Sequence, residues 1–267
     1  MHIPPLGLGT FRLQGQQVIE SVSNGLAAGY RHIDTAQIYG NEADIGTAIA
    51  ECGIARSELF VTTKIWTDNM AAGKLIGSLE ESLQKLGLEQ VDLTLLHWPS
   101  PGNAVPVAES MNALMEARER GLTRLIGISN FTVAQMREAA AAVGAASIAT
   151  NQVEIHPFLQ NRKLVDAARE MGIHLTAYMP LAYGKVMQDP VMLDIAARHG
   201  ATPAQVALAW LLQQGHAVIP SSTKSANLQA NLKALDLRLT ENDIARIRTL
   251  DSNARIANPD FAPDWDA

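Results

Sequence analysis

The 267-residue sequence predicts a (β/α)8 barrel of the TIM type, with an active site at the C-terminal mouth of its strands. Three observations predict it. Short apolar runs rich in β-branched residues recur eight times, helical periodicities fill the gaps, and every run from the second onward closes on a polar side chain. Runs so apolar throughout suit a parallel sheet covered on both faces, and the length suits one such barrel. No Pro/Gly/Ser linker, charge block or composition shift divides the chain, so residues 1–267 are expected to form a single domain. An open doubly wound sheet is the alternative architecture. It would carry a G-x-G-x-x-G turn after its first strand, and "GLGTFRLQG" lacks that spacing.

The first run, "PLGLGT", precedes Val18, Val22 and Leu26, which lie at helical spacing ahead of Gly29. The second, "RHIDT", carries Asp34, and the third, "LFVTTK", ends on Lys64. Leu75, Leu79 and Leu83 then mark a helix that Gly87 is placed to end. "DLTLLHW" carries His97 and is followed by Val107, Met111, Leu114 and Met115, leading to Gly121. "RLIGISN" closes on Ser129 and Asn130, "SIATNQ" on Gln152 and "IHLTAY" on Tyr178. Thr202 and Pro203 form a cap and first turn ahead of Val206 and Trp210, and "AVIPSS" brings in Ser221.

In a parallel barrel all strand C-termini face one mouth, so Asp34, Lys64, His97, Ser129, Asn130, Gln152, Tyr178 and Ser221 converge on one pocket. Any one of them read alone is an ordinary loop or capping residue. Tyr39 follows Asp34 closely enough to fold back over that mouth. A phenol, with a pKa near 10, donates a proton poorly at neutral pH. An ammonium about 4 Å away at an effective dielectric of about 20 favours the phenolate by about 4 kcal/mol, and Lys64 is placed to supply it. Asp34 would hold Lys64 in place and charged, and His97 would orient a carbonyl oxygen or share the proton. Such a site protonates an oxygen as it becomes an alkoxide, which is half of a carbonyl reduction. The other half is a hydride, and no side chain supplies one, so a nicotinamide cofactor is implied.

The global numbers agree. A formal net charge of -6 argues against a nucleic-acid partner. No apolar run reaches the roughly 18 residues that span a bilayer, and "MHIPPLGLGT" shows no leader pattern, so a cytoplasmic protein with no membrane partner is expected. Cys52 is the only cysteine, which leaves no disulfide framework and no cysteine metal site.

The segments "GLGTF", "HIDTAQIYGNEADIG", "TTKIW", "LLHWP", "IGISNF", "NQVEIHPFLQ", "TAYMPLAYG", "TPAQVALAWLLQQG" and "VIPSS" resemble the aldo-keto reductase superfamily, in order and across nearly the whole chain. The resemblance implies a (β/α)8 reductase that uses NADP(H) on small aldehydes and ketones, 2,5-diketo-D-gluconate and methylglyoxal among them. It implies Tyr39 as general acid, Lys64 lowering its pKa, Asp34 supporting Lys64 and touching the cofactor, and His97 orienting the carbonyl. Ser129, Asn130 and Gln152 would hold the nicotinamide carboxamide and Tyr178 would stack on its ring. Leu181, Ser221, Ser222, Thr223, Lys224, Asn227 and Asn231 would complete the cofactor site, while Trp66 and Trp98 would wall the substrate beside His97. A monomer acting on a small-molecule substrate is expected.

The chain departs from the family pattern where charge matters. Ser221 stands in place of a frequent lysine and Asn227 in place of an arginine, and of the glutamate and asparagine that usually follow, the first becomes Ala230 while the second stays as Asn231. Lys224 is the cation that remains. Little chain precedes "GLGT" for a hairpin to plug the barrel bottom, and the short "PDFAPDWDA" tail predicts an open pocket that admits several small carbonyls. Two rival functions have a basis in the sequence. A slow cofactor-binding regulatory subunit of this fold would need a partner-binding extension, which the chain lacks. A metal-dependent barrel hydrolase could draw on the seven histidines, yet only His97 closes a strand, no H-x-H or H-E-x-x-H occurs, and no metal is expected.

Overall fold

A computed structural model describes residues 3–266. Eight parallel strands run in chain order: β1 (Leu8–Gly9), β2 (His32–Asp34), β3 (Phe60–Ile65), β4 (Val91–Leu96), β5 (Thr123–Ser129), β6 (Ile148–Glu154), β7 (Leu175–Tyr178) and β8 (Ala217–Val218). Leu6 bridges Val218 in parallel, and Gly9 N–H donates to Pro220 O at 3.0 Å, so the first strand meets the last and the sheet closes. The expected (β/α)8 barrel is thus the fold observed. β3 and β4 are buried at every position, as strands packed on both faces must be.

Helices α1 (Gly15–Ala28), α2 (Glu42–Glu51) and α3 (Ala72–Leu86) pack side by side on the outside of β1 to β4. Gly87 ends α3 as its sequence position suggests. It adopts φ 66°, its N–H reaches Gln84 O, and Leu88 N–H returns to Leu83 O at 3.0 Å, which satisfies carbonyls that a helix end leaves open. Thr202 also caps as expected, in a reciprocal pair with Gln205. The described residues hold ten α-helices, two more than one per strand. The extra pair is Pro190–His199, inserted before the helix that leads to β8, and Glu241–Arg248, which follows the barrel. Asp243 joins them, accepting from Arg198 at 2.8 Å and His199 at 2.7 Å.

Inside the barrel, Phe60, Leu93, Leu95 and Leu125 form a small apolar plug with Ile3 packed against it. The far end of the barrel interior is therefore filled by side chains, which leaves the C-terminal mouth as the wide opening. No helix among the described residues is long and apolar enough to cross a membrane.

One close approach fixes how two of the outer helices pack. A Cβ on Gly46 of α2 would lie 2.7 Å from the backbone oxygens of Lys85 and Leu86 at the end of α3. Backbone cannot step aside as a flexible side chain can, so Gly46→Ala is expected to destabilise the fold by about 1–3 kcal/mol. Urea unfolding should show a lower midpoint with an unchanged slope. A midpoint equal to that of the parent would contradict the packing described.

Candidate functional site

The strand ends do converge. Asp34, Tyr39, Trp66, His97, Trp98, Ser129, Asn130, Gln152, Tyr178, Leu181 and Ser221 all line one cavity of about 860 Å³ at the mouth. Lys64 lies beneath its floor with no exposed surface. Its ammonium donates to Asp34 Oδ1 at 2.5 Å and to Thr35 O at 2.8 Å, and it lies 3.5 Å from the Tyr39 hydroxyl. Gln152 Nε2 occupies the other carboxylate oxygen of Asp34 at 2.7 Å. β2, β3 and β6 thereby meet in one chain of hydrogen bonds. His97 faces the edge of Tyr39 with ring centroids 5.6 Å apart, and its Nδ1 has no protein partner.

The electrostatics of this floor differ from expectation at one point. Burial, reinforced by the Asp34 charge, pushes the Tyr39 phenol well above 10, so Lys64 does not draw it down in this structure. Burial is the main cause, because it favours the neutral phenol, and the Asp34 charge paired with the same ammonium adds to it. Lys64 is itself shifted down by burial, an effect that the Asp34 contact opposes. Burial, helped by Lys64, holds His97 well below 6.5 and therefore neutral at physiological pH. The phenol is thus protonated and the imidazole uncharged around neutrality.

On the opposite wall, Ser129, Asn130 and Tyr178 form a second polar set. Asn130 adopts φ 63°, a left-handed conformation that asparagine tolerates. Its Nδ2 donates to His97 O at 3.0 Å, and Tyr178 hydroxyl donates to its Oδ1 at 2.7 Å. Ser129 hydroxyl donates to Gln152 O at 2.7 Å. With Nε2 of Gln152 committed to Asp34, its Oε1 faces no protein donor among the described residues. A flat ring bearing a carboxamide fits this chemistry: Tyr178 offers an aromatic face, and Gln152, Asn130 and Ser129 offer acceptor and donor atoms at the cavity wall.

Beyond Ser221, the expected phosphate contacts spread onto the surface. Thr223, Lys224 and Asn227 are exposed and Ser222 is half-buried, around the start of the helix Ser225–Leu232. Asn231 is instead buried, close to Tyr30, whose hydroxyl donates to Leu228 O at 3.2 Å. It falls three residues after Leu228, which places both on the inward face of that helix.

Several lining residues escaped the sequence reading. Phe11 and Arg12 follow directly on β1, where the strand-end test would have found them had it been applied to the first run. Among the described residues Arg12 is the only lysine or arginine on the cavity wall, and its guanidinium lies 5.1 Å from the rings of both Phe11 and Tyr183. The tail also behaves differently from expectation. Ile256 and Ala257 N–H groups donate to the two carboxylate oxygens of buried Glu154, at 2.8 and 2.7 Å. From that anchor the chain crosses the mouth, and Phe261 packs edge-on against Trp66 and Trp98. The pocket therefore has a tail-built wall, which no periodic pattern announces because the segment is neither helix nor strand.

Residues 5–252 match the Aldo/keto reductase family. The chain is 59% identical over its full length, and that of the relative, to methylglyoxal reductase DkgB of Escherichia coli O157:H7, and 60% identical, with the same coverage, to that of Yersinia pestis. A solved structure assigned provisionally as a 2,5-diketo-D-gluconic acid reductase B superposes with a TM-score of 0.95 at 49% identity, covering 99% of this chain and 94% of the other. Aldose reductase from Schistosoma japonicum superposes with a TM-score of 0.92 at 32% identity, over 99% of this chain and 96% of its own. With the barrel, the polar floor and these likenesses together, the chain belongs to the aldo/keto reductase family of oxidoreductases.

Proposed function

We propose that this chain reduces small aldehydes and ketones with NADPH, methylglyoxal and 2,5-diketo-D-gluconate among them, and that Tyr39 donates the proton. The observation that carries this reading is the position of the Tyr39 hydroxyl, 3.5 Å from a fully buried ammonium that Asp34 holds at 2.5 Å, on the floor of the cavity. The names of the relatives that share the whole length support the substrates. A reduced nicotinamide, when bound, supplies the hydride. Ser129, Asn130 and Gln152 hold its carboxamide, Tyr178 and Leu181 flank it, and Ser221, Ser222, Thr223, Lys224 and Asn227 receive its phosphates.

The remaining steps belong to side chains. His97, neutral, hydrogen-bonds the carbonyl oxygen without adding charge to the pocket. Tyr39, protonated, releases its proton to that oxygen as negative charge builds there. Lys64 then faces a phenolate at 3.5 Å and stabilises it, by on the order of 4 kcal/mol before the opposing field of Asp34 is counted. Trp66, Trp98 and Phe261 exclude water around the reacting carbonyl.

Three outcomes test the reading. NADPH oxidation should proceed with diketogluconate, methylglyoxal and aromatic aldehydes, and Tyr39→Phe should lower turnover roughly 10²- to 10⁴-fold while cofactor affinity holds. Turnover by Tyr39→Phe at the parental rate would remove the tyrosine from the mechanism. Because the phenol is pushed above 10 and the imidazole well below 6.5, neither group titrates near neutrality. The reduction rate should therefore stay level between about pH 7 and 9, with acid loss only well below the ordinary histidine range. A rate that halves near pH 6.5 would show that His97 ionises during turnover. Finally, Lys224→Ala should weaken NADPH about 10- to 150-fold and leave NADH nearly unchanged, since one charge-assisted contact is worth roughly 1.5–3 kcal/mol. Equal weakening of both cofactors, read from their dissociation constants, would mean that Lys224 does not recognise the additional phosphate.

A further inference from the structure

Tyr39 ends a single 3-10 turn, Gln37–Tyr39, whose middle residue Ile38 is exposed. The phenol itself has one polar neighbour in the protein, the Lys64 ammonium at 3.5 Å, which is too long to fix a ring. Phe11 and His97 pack on the ring at 5.1 and 5.6 Å, and the backbone that carries it is held through the turn. On one side the turn is tied to the loop after β1: Gln14 Nε2 donates to Tyr39 O at 2.6 Å, and Asn41 Nδ2 donates to Thr10 O at 3.0 Å and Leu13 O at 2.9 Å. On the other side it is tied by one side chain, that of Gln37.

The Gln37 amide is saturated. Its Oε1 accepts from Trp66 N–H at 2.8 Å and from Asn69 Nδ2 at 3.1 Å. Its Nε2 faces Ser78 O and Ser78 Oγ, both at 3.1 Å, and Ser82 Oγ at 3.3 Å. A backbone N–H can only donate, so the Trp66 contact itself fixes which end of the amide points where. One residue thus joins the turn of Tyr39, the loop after β3 and the body of α3. The Trp66 backbone that it grips carries the indole that lines the cavity and packs against His97 at 5.3 Å.

We propose that Gln37 is a positioning residue, whose amide sets the Tyr39 phenol against the Trp66 wall so that proton donor and wall stay in one fixed relation. This rests on the reading of Tyr39 as proton donor. Gln37 does not line the cavity; it acts through the distance between the phenol and the carbonyl oxygen. Displacements of about 1 Å in such a relation can cost about 10²-fold in rate.

The test is a double-mutant cycle on the full-length chain, with Gln37→Met, which keeps length and removes every polar contact, and Tyr39→Phe. Gln37→Met should lower kcat roughly 10- to 100-fold with NADPH affinity unchanged. In the Tyr39→Phe background the same change should cost less than about 3-fold, because the group it positions is gone. Equal losses in both backgrounds would make Gln37 a purely structural residue and overturn the proposal. Hydrogen exchange supplies a readout that does not depend on turnover: the Trp66 amide should lose protection in Gln37→Met and keep it in Gln37→Glu, which retains the acceptor. Unchanged protection in Gln37→Met would also overturn the proposal, and the Gln37→Glu arm stands if the methionine variant fails to fold. Full activity of Tyr39→Phe alone would sink the reading of the tyrosine, and with it the role assigned to Gln37, whereas additive losses with an inactive Tyr39→Phe would sink only the latter.

Discussion

The Lys64 ammonium, wholly out of solvent, sets the terms for the rest of the site. An isolated ammonium in such a place is costly enough to lose its proton or unfold its surroundings. Here it is held by a carboxylate oxygen at 2.5 Å and a carbonyl at 2.8 Å, while the second carboxylate oxygen is occupied by Gln152. Each requirement recruits another strand: β3 supplies the charge, β2 its counter-charge, β6 the amide that completes it. A barrel is well suited to this, because neighbouring strands deliver side chains to the same mouth while the backbone ladder stays intact. Burying the pair also makes its geometry rigid, since no water can substitute for a missing partner.

The same burial explains why charges at this floor are fewer than the residue types suggest. The imidazole is neutral and the phenol protonated, so the lysine and aspartate are left as a compact ion pair. A nearly uncharged floor suits a neutral carbonyl and develops its electrostatic contrast only when the oxygen begins to carry charge. The chain thereby separates binding from chemistry, with apolar and aromatic walls for the first and a poised polar pair for the second.

Much of this was legible in the sequence, and the reasons differ by element. β-strand ends were readable because a run buried on both faces makes the polar residue that closes it conspicuous, as at Asp34, His97 and Ser129. Helix ends were readable where a glycine or a threonine carries the cap, as at Gly87 and Thr202. The upward shift of the Tyr39 phenol was not legible, because its main cause is burial, which depends on how the loops cover the barrel floor. Asn231 was named from motif resemblance, while its buried place on the inward face of its helix was not legible. The tail wall and the Gln37 tie were illegible for a common reason: both depend on which loops meet in space, and amides or aromatic rings in irregular segments leave no period to read.

The closure of the barrel has a consequence for its motion. β1 and β8 are two residues long each, against six or seven for β3 to β6, and they meet through few ladder bonds. In an otherwise continuous ring these two short strands, which form its seam, have less to break than their longer neighbours, so thermal opening should begin at them rather than at β4 or β5. The loops that leave the two seam strands carry Phe11 and Arg12 on one side and Ser221 on the other, all on the cavity wall. A brief parting of the seam therefore widens the mouth beside those three residues while the Asp34–Lys64 pair stays clamped between β2 and β3. The ring can yield at one joint and keep its chemistry aligned at another.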